Sequence, residues 1–171
     1  MALERKVRTL EDLLVLRQKW AEQGKRVVWT NGCFDLLHVG HVRSFRAARA
    51  LGDILVVGLN SDASVRKLKG PLRPVVHEDD RAETVAALES VDYVTIFNES
   101  DPVAVLSALR PDIHCKGADY AGGKRPVPEL PVVLGYGGHV EFLPLHEGRS
   151  TSGLIERICA AEARDRAQNP K

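Results

Sequence analysis

The spacing of apolar positions changes period several times along the chain. Leu10, Leu13, Leu14, Val15 and Trp20 fall at helical spacings behind a Thr9 to Asp12 capping pair, with Gly24 beyond, which predicts an amphipathic helix covering a sheet. "RVVWT" at 26–30 is a short β-branched and aromatic run. "VRSFRAARALG" has helical spacing and a stop at Gly52, and "DILVVGL" from Asp53 is a second apolar strand, so the three make a βαβ unit. The alternation continues with a helix from Glu78 to Leu88, a strand at "DYVTIF", a helix from Pro102 to Leu109, and strands at "DIHCK" and "HVEFL". Strands that are apolar throughout and separated by helices predict an α/β fold, a Rossmann-like doubly wound parallel sheet of about five strands with helices on both faces.

A last helix begins near "STSGLIERI" and runs into the polar "RDRAQNPK". The expectation is one domain over residues 1–160, with residues 1–25 as its cover helix, and a disordered polar tail at 161–171. The segment 117–131, "GADYAGGKRPVPELP", carries three prolines and three glycines and reads as a long irregular loop of functional interest.

Twenty-four Lys and Arg against twenty-three Asp and Glu give a net charge of +1 over 171 residues. No long run of either sign occurs, which argues against nucleic acid or anionic lipid as a partner. Cys33, Cys115 and Cys159 are odd in number and widely spaced, so neither a disulfide framework nor a zinc knuckle is expected. With no signal-like segment and no run of eighteen apolar residues, the expectation is a soluble, cytoplasmic protein without membrane insertion.

The chemistry concentrates after strand 1, in "NGCFDLLHVGHV". Open parallel sheets bind ligands at the strand C-terminal ends. Gly32 permits a tight turn and Gly40 stands where the next helix begins. His38 and His41, three residues apart, face the same way near amides without intrahelical partners. That arrangement suits a phosphate. Metal ligation by the histidines with Asp35 is an alternative, but no third ligand has a helix-matched spacing, so no metal ligand is assigned. A Cys33 nucleophile is another; nothing near it marks the thiol as activated. Lys67 and Lys69 lie two apart after strand 2, so in an extended loop both would point toward a shared anion. In strand order 3-2-1-4-5, strands 1 and 4 are neighbours, and "KGADY" faces "NGCFDLLHVGH" across one crevice. Lys116 then reads as a phosphate contact and Asp119 as a hydroxyl acceptor. Ser150, Thr151 and Ser152 open the last helix, where hydroxyls cap and free amides accept anions.

"GCFDLLHVGH" resembles the G-x-F-D-x-x-H-x-G-H signature of the cytidylyltransferase-like nucleotidyltransferases, and "RSTSGLIERI" resembles their second, S/T-rich signature. The similarity spans about residues 25–160. Within that superfamily, "TNGCFDLLHVGHV", "GLNSDASVRKLKGPLRPV", "KGADY" and "GRSTSGLIERI" look like the heptose 1-phosphate adenylyltransferase branch, with Ala118 where relatives carry a second glycine.

The resemblance implies adenylyl transfer from ATP to a heptose 1-phosphate, with His38, His41 and Lys69 as catalytic groups. It implies that Gly32, Cys33, Phe34, Asp35, Gly40, Lys116, Arg149, Ser150, Thr151 and Ser152 hold the nucleotide, and that Asp119, Lys67 and Arg81 contact the acceptor. Magnesium accompanies the ATP. Asp35 either orients a histidine or contacts water on the metal. Relatives are frequently dimers and often fused behind a sugar kinase, so a homodimer and a separate upstream kinase are expected. The shared signature also allows cytidylyl transfer to a polyol or amino-alcohol phosphate, and a silent nucleotide-binding regulatory module is the alternative from another class.

Overall fold

The computed structural model describes residues 6–123, 126–144 and 148–169. Its elements are α1 (Leu10–Glu22), β1 (Val27–Gly32), α2 (Val39–Arg49), β2 (Ile54–Asn60), α3 (Asp62–Lys69), α4 (Glu78–Ala86), β3 (Tyr93–Phe97), α5 (Val103–Leu109), β4 (Ile113–Gly117), α6 (Leu130–Gly135), β5 (His139–Leu143) and α7 (Thr151–Gln168). The five strands are parallel, as the alternating pattern predicts, and stand in the expected Rossmann-like order β3-β2-β1-β4-β5.

Successive side chains of a strand point to opposite faces, so β1 feeds two cores. Val28 joins Phe45, Ala48 and Val85 under α2 and α4. Val27 and Trp29 join Leu13, Leu106 and Val133 under α1, α5 and α6. All seven residues of the central β2 are buried. The Trp29 indole needs Gly58: a Cβ there would stand 2.1 Å from Trp29 Cζ2. Ahead of α1, Arg8 N donates to Val94 O and Val94 N to Lys6 O, both at 2.9 Å, so the chain enters along the β3 edge.

Three expectations change. The segment after β2 is not extended: Ser61 Oγ accepts from Ser64 N and starts α3, which stops at Gly70 with φ +96°. At about 100° per residue, Lys67 and Lys69 therefore project to different sides and cannot share one anion. The segment 117–131 contains a 3-10 turn over Ala118–Gly123 and leads into α6, a helix too short to announce itself by periodicity. The polar tail continues α7 to Gln168, supported by alanines and an Arg166 to Glu162 pair at 2.7 Å. Pro170 and Lys171 lie outside the described residues.

Candidate active site

A cleft of about 580 Å³ runs along the C-terminal edge of the sheet. Its walls come from the β1–α2 turn, from Asn60, Leu68, Lys69 and Arg73, from Ser100 and Asp101, from β4 and its following segment, and from the start of α7. An open parallel sheet binds ligands in this place because strand ends and helix N-termini converge there.

The β1–α2 turn is built around Phe34, whose φ of +44° is unusual for a non-glycine residue. Packing holds it there. The ring lies 5.0 Å from the Phe45 ring and edge-on to His41 at 5.4 Å, and a Cβ at Gly32 would come within 3.0 Å of it. His38 is the N-cap of α2, with Nδ1 accepting from Gly40 N at 3.1 Å, while His38 N donates to His41 Nδ1 at 3.4 Å. Because both Nδ1 atoms accept, each ring carries its proton on Nε2, where it can be donated. The rings stack at 3.9 Å. Burial, with His38 close by, pushes His41 down to about 4, so it is neutral at physiological pH. Gly40 is required by the cap, since a Cβ there would stand 2.8 Å from His38 Nδ1. His41 lines the cleft directly, and His38 stacks behind it.

Asp35 has a different role from the two considered for it. Its carboxylate is 4% exposed and accepts from Arg73 Nε, from Val75 N at 2.8 Å and from Val76 N at 3.0 Å. It orients no histidine; it ties the loop after α3 to the β1–α2 turn. Burial pushes the Cys33 thiol up, which leaves little thiolate and removes the case for a nucleophile.

Arg81 is corrected as an acceptor contact. It is 1% exposed, and its guanidinium donates to Val76 O at 2.9 Å, Asn60 O at 3.0 Å, Asp62 Oδ1 at 2.6 Å and Cys33 O. It clamps the ends of β1 and β2 from beneath the cleft. Lys67 is exposed and outside the cleft wall, whereas Lys69 lines it. Asp119 is half-buried in the 3-10 turn and does not line the cleft, although its neighbour Tyr120 does.

At the end of β4, Lys116 Nζ lies 2.6 Å from Glu129 Oε1, and His114 Nε2 lies 3.2 Å from the same oxygen. Burial favours the protonated acid at Glu129, but the hydrogen bonds from His114 and Lys116 outweigh it and hold the carboxyl at about 2. Burial keeps His114 below its usual value, so Nε2–H donates to an ionised Glu129.

Ser150 caps α7, with Oγ accepting from Gly153 N at 3.1 Å, and Thr151 Oγ1 donates to Leu36 O at 3.2 Å. The second contact joins the start of α7 to the β1–α2 turn, so two helix N-termini open on one space. Ser150, Thr151 and Ser152 line it; Arg149 is exposed beside Gly40 and does not.

The structure thus gathers Gly32, Cys33, Phe34, Asp35, His41, Lys69, Lys116 and the 150–152 segment on the cleft wall, sets His38 and Gly40 behind it in the α2 cap, and leaves Lys67, Arg81, Asp119 and Arg149 outside. Arg73, Glu129 and Tyr120 were missed from sequence. The one signal for Glu129 was a lone acid between Pro128 and Pro131 at the return to an apolar run. Among the described residues, no group of three His, Cys, Asp or Glu could hold a metal ion.

Residues 29–129 match the family described as Cytidylyltransferase-like. The chain is 52% identical over 153 residues to the bifunctional protein HldE of Syntrophotalea carbinolica, covering 90% of this chain and 31% of that protein. It is 50% identical over 155 residues to the bifunctional protein HldE of Methylobacillus flagellatus, covering 91% and 31%. It therefore spans about a third of the length of these relatives. Among solved structures, the lipopolysaccharide core biosynthesis protein from Thermoplasma volcanium aligns with a TM-score of 0.59 at 28% identity, over 74% of this chain and all of that one. A pantoate-beta-alanine ligase from Francisella tularensis, 12% identical with a TM-score of 0.57 over 86% of this chain and 69% of that one, shares the fold alone.

Proposed function

The chain belongs to the cytidylyltransferase-like nucleotidyltransferase family, and on that premise we propose that it transfers the adenylyl group of ATP to a heptose 1-phosphate, releasing ADP-heptose and pyrophosphate. The observation that carries the reading is the reciprocal cap of His38 and His41, which fixes both imidazoles as Nε2–H donors at the mouth of α2.

In this reaction a phosphate oxygen of the acceptor attacks the α-phosphorus of ATP and pyrophosphate leaves. The acceptor supplies its own anionic nucleophile, so the protein must align two polyanions and offset the charge that builds on the transferred group and the leaving oxygen. His41 donates from Nε2 into the cleft, with its partner ring fixing its plane. The N-terminus of α7, with Ser150, Thr151 and Ser152, adds hydroxyls and a positive dipole end. Lys69 and Arg73 supply positive charge on the opposite wall. Magnesium bound to ATP would neutralise part of the triphosphate. Of the cleft carboxylates, Asp35 and Glu129 are held in ion pairs and Asp101 accepts from Val103 N at 3.1 Å, so this chain fits a magnesium ion held mainly by phosphate and water rather than by a carboxylate cage.

Relatives at about half identity are bifunctional HldE proteins, and the Thermoplasma volcanium protein is named for lipopolysaccharide core biosynthesis; both support a sugar phosphate as acceptor. The test is pyrophosphate release in the presence of magnesium, with each nucleoside triphosphate paired against heptose 1-phosphate and glycerol 3-phosphate. Turnover is expected with ATP and heptose 1-phosphate. Turnover with CTP and glycerol 3-phosphate in its place would overturn the reading, and no turnover with any pair would favour a silent nucleotide-binding module.

A further inference from the structure

Glu129 is 1% exposed yet ionised, a state that costs several kcal/mol unless the charge is paired and hydrogen-bonded. Both conditions are met by residues of one strand: the Lys116 ammonium at 2.6 Å and the His114 Nε2–H at 3.2 Å. The same ammonium stands 4.5 Å from the centroid of the Tyr120 ring, within cation–π range. Tyr120, Pro126 and Pro128 line this end of the cleft, and Glu129 is where the segment returns to the sheet ahead of α6. A phosphate arriving here would meet an ammonium whose charge is already offset by a buried carboxylate at 2.6 Å. An aromatic ring and two prolines form a wall of the kind that takes the face of a heterocycle. The phosphates have their own donors at His41 and at the start of α7.

We propose that Glu129 is a positioning residue for the nucleoside half of the nucleotide: it fixes Lys116, and Lys116 fixes the Tyr120 ring against which the base lies. This rests on the ATP-dependent reading above, and it moves Lys116 from phosphate contact to support of the base wall.

The experiment titrates the wild-type protein, Glu129→Gln, Tyr120→Leu and the double variant with magnesium–ATP and with magnesium–tripolyphosphate, the phosphate-only probe, recording thermal unfolding of each. Loss of one base–aromatic stack corresponds to about tenfold in affinity. Each single variant is expected to weaken ATP by about that factor and to leave tripolyphosphate within about twofold, with the double variant no weaker than Tyr120→Leu alone. Tyr120 is half-buried at the rim, so its variant retains the fold even where Glu129→Gln does not. Equal losses for the two ligands, or unchanged ATP affinity in Tyr120→Leu, would overturn the proposal. A wild-type protein that binds neither ligand would overturn the proposed function, and the inference with it.

Discussion

Arg73 reaches back to Asp35: its Nε donates to Oδ2 across a separation of 38 residues, while Oδ1 takes the amides of Val75 and Val76. One buried carboxylate of the first signature therefore sets the loop that carries cationic groups to the opposite wall of the cleft. Asp35→Ala leaves three donors without an acceptor, one of them charged. It is expected to destabilise the protein by about 3–5 kcal/mol, the scale for breaking a buried pair. Asp35→Asn retains an oxygen for the two amides and is expected to unfold at a higher temperature than the alanine variant. Thermal unfolding checks the order; equal stability of both variants and the wild type would remove the anchoring role.

Arg81→Met is expected to lose about 3–5 kcal/mol because buried Asp62 keeps only His77 Nε2 at 3.3 Å and the oxygens of Cys33, Asn60 and Val76 lose their donor. Its loss of activity should track loss of folded protein. Denaturant unfolding beside assays below the transition checks this. A variant of unchanged stability with a raised KM for the acceptor would restore Arg81 to the substrate site.

The difference between Asp35 and Arg81 marks what the sequence could tell. The parallel, doubly covered sheet was legible because β2 is apolar from Ile54 to Leu59, and its total burial is the physical form of that pattern; the strand order followed from the Rossmann-like arrangement expected of such a sheet. The cleft was legible because glycines, histidines and hydroxyls follow strand ends within a few residues. Arg81 was expected to contact the acceptor, and its burial was not legible because the backbone oxygens that hold it come from Cys33, Asn60 and Val76. The role of Glu129 was hidden for a similar reason, its His114 partner lying 15 residues away on a strand. Helix α3 was missed because "DASVRKLK" offers only Val65 and Leu68 as large apolar residues, and its stability depends on Ser61 and Gly70 at its ends.

Stability should fall in acid partly through His41. Its folded value is near 4 against an ordinary 6.5, so the unfolded chain binds the proton more readily between those values. The contribution is fully present above pH 6.5, is lost as pH falls toward 4, and amounts to roughly 3 kcal/mol. The slope of unfolding free energy against pH in that window is expected to flatten in His41→Gln. An identical slope in the variant would contradict the buried neutral state.

Gly40→Ala tests the cap without removing any functional group. The new methyl meets His38 Nδ1 at 2.8 Å, so the ring must leave its place. Turnover is expected to fall by about tenfold or more with little change in ATP affinity, because the lost donor geometry matters most in the transition state. Steady-state kinetics with a binding titration separates the two effects; a loss confined to KM would count against it.

The most direct measurement is the turnover number of His41→Ala in the ATP and heptose 1-phosphate reaction, made on protein shown to be folded. Losing one preorganised donor to developing charge costs about a hundredfold or more in kcat. That fall, with ATP binding retained, is the expected result. A folded His41→Ala variant that turns over at the wild-type rate would contradict the role of the paired imidazoles.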